Sequence, residues 1–75
     1  MDLAYDPRKR FGTRLAALRR AKGISQERLA LESGLARSYL SGIERGIRNI
    51  ALVNICVLAA TLELRPADLL DFDAD

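Results

Sequence analysis

The 75 residues are 49% hydrophobic and 29% charged, with a formal net charge of +2, which describes one small folded domain and not a disordered chain. One Cys and no His exclude an intrachain disulfide and nucleophile–histidine catalysis within the chain, and argue against a protein-only zinc site. No metal and no other cofactor is expected, and no phosphate-loop or glycine-rich nucleotide motif occurs.

With no Trp and few aromatics, the core has to come from Leu, Ile, Val and Ala, which suits packed helices better than a sheet. The charge is unevenly spread. Residues 1–50 carry eleven Lys or Arg against five Asp or Glu, whereas residues 51–75 carry one basic and five acidic residues. A basic half of this kind is the electrostatic footprint of a nucleic-acid binder, although solvated arginines on a small helical protein would look the same. Residues 1–10 are polar and charged, with no secretory signal pattern. The apolar run 50–62 is too short to span a membrane and is interrupted by Asn54. A cytoplasmic protein without a membrane partner is the expectation.

In chain order, residues 1–5 read as a loose arm. Asp6-Pro7 starts a helix, with Asp as N-cap and Pro where its missing amide costs nothing. This first helix runs to about Lys22. Phe11, Leu15 and Leu18 share its inner face, and Lys9, Thr13, Ala16 and Arg20 the opposite one. Gly23 ends it. Ser25 caps a second helix, about 26–33, in which Leu29 and Ala30 face inward. Gly34 supplies a tight turn into a third helix, about 37–45, whose Leu40 and Ile43 face the core. A small residue at position 30 suits two closely crossing helices, as in a helix-turn-helix over about 25–45.

The outer face of the third helix holds Ser38, Gly42 and Arg45, with Ser41 beside them and Arg37 in the first turn. Arg48 and Asn49 follow just past its end. Hydroxyls and arginines of this kind reach base edges and phosphates. Gly42 either allows close approach to a groove or is a tolerated weakness. Tyr39, on the flank, either packs or offers its hydroxyl to a phosphate. Glu44 lies toward the core.

A fourth helix, about 52–62, is apolar nearly all round, so it must be covered nearly all round. One side, through residues such as Val53, Val57 and Leu58 or their neighbours, covers the core. The rest exceeds what a soluble monomer usually exposes. Pro66 starts a short last helix to about Asp71, with Leu69 and Leu70 apolar and Phe72 beyond. An acidic tail of Asp71, Asp73 and Asp75 is expected to fray. Residues 50–72 are the expected dimerisation region, with Ile50, Leu69, Leu70 and Phe72 at the contact.

The segments SQERLA, SGLARSYLSGIERG and RN, in this order and spacing, resemble the phage-repressor (Cro/cI-type) helix-turn-helix family. The likeness spans about residues 8–70. RSYLSGIERGIRN followed by LVNI is similar to the controller proteins of restriction–modification systems. The resemblance implies an all-α, five-helix, single-domain DNA-binding fold and a homodimer on double-stranded DNA. Under it, Gln26, Arg37, Ser38, Tyr39, Ser41, Arg45, Arg48 and Asn49 are the candidate DNA contacts. It also implies a structural ion pair between Arg19 and Glu44. The chain departs from the family at Ala36 and Arg65, where capping side chains are common. Rival readings are an antitoxin of the same fold and an interaction module that no longer binds DNA.

Overall fold

The Asp6-Pro7 pair does what its chemistry dictates. The Asp6 carboxylate accepts from the Arg8 backbone N–H at 3.0 Å, and Pro7 opens the first helix. In the computed structural model, which describes residues 2–73, the elements are α1 (Pro7–Ala21), α2 (Gln26–Ser33), α3 (Arg37–Glu44), α4 (Leu52–Thr61) and α5 (Pro66–Leu69). The described residues contain no strand. The all-α architecture of five short helices is the one the apolar pattern predicts.

Each helix contributes to one core. Phe11 and Leu15 come from α1, Leu29 from α2, Leu40 and Ile43 from α3, and Ile55, Leu58 and Ala59 from α4, joined by Leu62 and by Leu69 of α5. Burial of each larger side chain stabilises the fold by about 1.5–3 kcal/mol. α1 packs against α3 and α5, α2 against α3 and α4, and α4 against α5. α3 is thereby held from both sides, with one face left to solvent.

Helix ends follow local chemistry with two substitutions. Ala36 makes no side-chain cap for α3. At α5 the missing cap at Arg65 is replaced from inside the helix: the Asp68 carboxylate accepts from the Arg65 backbone N–H at 2.8 Å. Among the described residues no helix is long and apolar enough to cross a membrane.

Packing overturns four expectations. Ala16 is buried, because Gly12, Ala16 and Arg19 form a second inward stripe of α1. A Cβ on Gly12 would lie 2.4 Å from the Ile43 carbonyl oxygen and 2.6 Å from that of Glu44, so α1 and α3 touch backbone to backbone. Val53 points outward at 71% exposure, since Ile55, Leu58 and Ala59 form the inner face of α4. Leu69 is fully buried, because α5 packs back on α4 and α1, so it belongs to the protomer's own core and not to a dimer contact. The arm is tied down at its end. The Tyr5 ring meets the Phe72 ring edge-on at 6.2 Å between centroids, and the Arg10 guanidinium lies 5.2 Å from the Tyr5 centroid. Of the expected acidic tail, Asp75 lies outside the described residues.

Candidate nucleic-acid interface

The geometry of α2 and α3 starts at their ends. Ser25 accepts from the Arg28 N–H at 3.0 Å and fixes the first turn of α2. Gly34, with φ of 78°, turns the chain left-handed at its other end, a conformation strained for any residue with a Cβ. Leu29 and Ala30 on α2 and Leu40 and Ile43 on α3 are buried where the two helices cross.

Beneath α3 lies a polar network. Arg19 donates through Nε to Glu44 Oε2 at 2.8 Å and through its terminal NH2 to Glu44 Oε1 at 3.0 Å. Its remaining terminal nitrogen donates to the Ile24 carbonyl at 2.9 Å. Gln26 Nε2 donates to Glu44 Oε1 at 3.0 Å. One carboxylate thus ties the end of α1, the start of α2 and the end of α3. The hydrogen bonds that Arg19 donates to Glu44 push the Arg19 pKa further up, against the opposing effect of burial.

The opposite face of α3 is open. Arg37, Ser38 and Arg45 are exposed and Ser41 is half-buried. Arg37 lies 3.7 Å from the Glu27 carboxylate, a solvent-exposed pairing that leaves it available. Past the helix, Arg48 and Asn49 are exposed. Gly42 is buried, contrary to the helical-wheel expectation, because the Arg48 side chain folds back over it: a Cβ there would sit 2.6 Å from Arg48 Cγ. The glycine makes room for an arginine of the same chain, which brings Arg48 to the α3 surface. The half-buried Tyr39 hydroxyl accepts from Asn54 Nδ2 at 3.0 Å.

The family model described as helix-turn-helix matches residues 15–69. The chain belongs to this helix-turn-helix family. Control protein C.BamHI of Bacillus amyloliquefaciens is 48% identical over 63 residues, 83% of this chain and 78% of its own length. The restriction-modification controller protein C.AhdI from Aeromonas hydrophila superposes with a TM-score of 0.83 at 55% identity, covering 87% of this chain and 98% of its own. The controller protein C.Esp1396I, solved as a tetramer in complex with its natural 35 base-pair operator, superposes with a TM-score of 0.79 at 31% identity, over 87% of this chain and 86% of its own.

On this helix-turn-helix the expected contact residues fall into groups. Arg37, Ser38 and Ser41 are gathered on α3 with Arg45 at its C-cap, and Arg48 joins them across Gly42. Gln26 is half-buried and engaged with Glu44 through its amide nitrogen. Tyr39 is engaged by α4, a link the sequence reading missed. The available signal was Asn54 itself, a polar side chain inside an otherwise apolar run. Of the expected dimer residues, Ile50 and Phe72 are half-buried and line one groove with Phe11, Ile55 and Leu70. Leu70 is 47% exposed.

Proposed function

We propose that this protein is a sequence-specific DNA-binding transcriptional regulator of the restriction–modification controller type, acting in the cytoplasm as a homodimer on a pseudo-palindromic operator. The observation that carries the reading is the α3 surface: arginines and hydroxyls face solvent, while the one acidic side chain of α3, Glu44, is turned inward and neutralised by Arg19. The control and controller proteins to which the chain is similar support it.

Residues 1–75 act as one domain, with about 25–45 reading DNA and about 50–72 joining protomers. α3 enters the major groove. Arg37 reaches a base edge, where guanine O6 and N7 accept two N–H donors. Ser38, Ser41 and Arg45 line the same groove. Arg48 and Asn49 hold the backbone, which sets register without reading sequence. Gln26, at the start of α2, offers a phosphate the amide N–H that Glu44 does not take, beside the first-turn amides. The action is non-enzymatic and needs no metal or cofactor: occupancy of an operator near a promoter sets transcription.

Gel-shift titrations on a selected duplex and its scrambled counterpart test this. Arg37→Ala should weaken binding to the selected duplex more, because a good base contact discriminates by ~1–3 kcal/mol. Arg48→Ala should weaken both and flatten the salt dependence. Equal losses on both duplexes for Arg37→Ala would reduce it to a phosphate contact. No binding by the wild-type protein to any duplex would remove the reading altogether.

A further inference from the structure

α4 carries two polar side chains, Asn54 and Thr61, in the run LVNICVLAAT. Thr61 is satisfied within its own helix, its hydroxyl donating to the Val57 carbonyl at 2.8 Å. Asn54 instead reaches out of α4 to α3, and it is half-buried, so its amide has been drawn partly out of water. The amide nitrogen faces the Tyr39 oxygen at 3.0 Å. An amide N–H can only donate, so the phenol oxygen is the acceptor and its own proton is directed elsewhere. Among the described residues, no protein acceptor takes that proton.

Tyr39 sits between the buried and the open faces of α3, on the side where Gly42 is covered by Arg48. From the proposed DNA-reading position of α3, this flank faces the phosphate backbone beside the groove. We infer that Asn54 is a positioning residue for DNA binding: by donating to the Tyr39 oxygen it leaves the hydroxyl proton free to be given to a DNA phosphate. The inference rests on the DNA-binding reading above. It assigns Asn54 a role through Tyr39 and no DNA contact of its own. An O–H given to an anionic phosphate oxygen is a charge-assisted bond, stronger than one between neutral groups. The Asn54 bond polarises the hydroxyl in the same sense.

The experiment is a double-mutant cycle on DNA affinity, using a duplex selected by the wild-type protein from a random-sequence pool. Tyr39→Phe removes the hydroxyl. Asn54→Leu keeps the branched shape of Asn, at a larger volume, and removes the donor, and Asn54→Ala is the second variant should the first pack poorly. Each single variant is expected to bind roughly three- to ten-fold more weakly, the range of one lost hydrogen bond. In the Tyr39→Phe background the Asn54 substitution should cost nothing more, on the selected and the scrambled duplex alike. Thermal melts of the same proteins separate this from simple α3–α4 packing, which would lower the melting temperature with the affinity loss persisting in the Tyr39→Phe background. Additive losses, or full affinity in Tyr39→Phe, would overturn the assignment of Asn54 while leaving DNA binding intact. Failure of the selection itself would strike at the DNA-binding reading instead.

Discussion

Arg19 and Glu44 meet in a fork, two nitrogens on two oxygens at 2.8 and 3.0 Å, with 10% and 5% of their side chains exposed. The pair lies under α3, and its geometry is the bidentate one that only Arg provides. Exchanging such a pair for apolar residues can be neutral, but removing one partner leaves an uncompensated charge. Glu44→Ala should therefore destabilise the protein by ~3–5 kcal/mol, most of its stability at this size. Glu44→Gln keeps one acceptor oxygen, enough for Gln26 and one Arg19 nitrogen, but loses the charge and turns an amide N–H toward the other Arg19 donor, and should fall between. Urea or thermal unfolding followed by circular dichroism ranks the three proteins. A Glu44→Ala protein as stable as wild type would mean that water reaches Arg19 freely.

Two glycines make opposite predictions although both are buried. At Gly12 an added methyl meets backbone oxygens of residues 43 and 44, which cannot move without shifting α3. Gly12→Ala should cost ~1–3 kcal/mol or more and displace the exposed face of α3 as well. At Gly42 the added methyl meets the stem of Arg48, a flexible side chain that can swing away. Gly42→Ala also gains helix propensity, so stability should hold or rise slightly. What it should lose is DNA affinity, with a lower salt dependence, because Arg48 is turned off α3. Stability and affinity measured together on the two variants distinguish a packing glycine from one that seats an arginine.

How much of this was legible follows the range of the interactions. The starts of α1 and α2 and the turn at Gly34 rest on chemistry within a few residues, and were readable at Asp6-Pro7, Ser25 and Gly34. The Arg19–Glu44 pair spans 25 positions, and came from family resemblance and not from any local pattern. The inner face of α4 was not readable, because a helix apolar all round has no preferred side until its neighbours choose one. The same holds for adjacent Leu69 and Leu70: one is fully buried and the other 47% exposed, a choice made by how α5 leans on α4. Gly42 failed for a different reason. The wheel placed it on the outer face, yet it is buried, because its cover comes from Arg48 in the following loop, which no helical period describes.

The cap of α1 predicts a pH effect. The Arg8 side chain, hydrogen-bonding the Asp6 carboxylate, holds its pKa below the ordinary value, with the Arg8 backbone N–H acting in the same direction. A carboxyl depressed in the folded state stabilises above its unfolded pKa, ~3.9, and loses that contribution as pH falls through the lower folded value. Asp6→Asn retains a good N-cap but does not titrate. Wild type should exceed Asp6→Asn in urea midpoint at pH 7, and the gap should close below about pH 4. A gap that persists unchanged to pH 2.5 would show that the Arg8 contact contributes nothing through charge.

The final prediction is the dimer. On the protomer, Leu52 and Val53 are 72% and 71% exposed, Cys56 and Ala60 of α4 are also exposed, and Leu70 stands beside the groove of Ile50 and Phe72. An apolar helix face of this kind, on a small domain, calls for a partner surface. A second copy related by a two-fold axis would cover both faces at once. It would join the acidic halves and leave the basic halves apart, with two α3 helices able to read half-sites about one helical turn, ~34 Å, apart. Charge at this face should break the dimer without unfolding the protomer. Val53→Asp should sediment as a monomer at concentrations where wild type is dimeric, retain most helical signal, and lose affinity for a palindrome far more than for a single half-site. Leu69→Asp is the contrast: that side chain is in the core, so this variant should unfold, with dimer loss only a consequence. A Val53→Asp protein that sediments and binds the palindrome as wild type does would move the contact away from α4. A wild-type protein that stays monomeric at high micromolar concentration would end the dimer proposal.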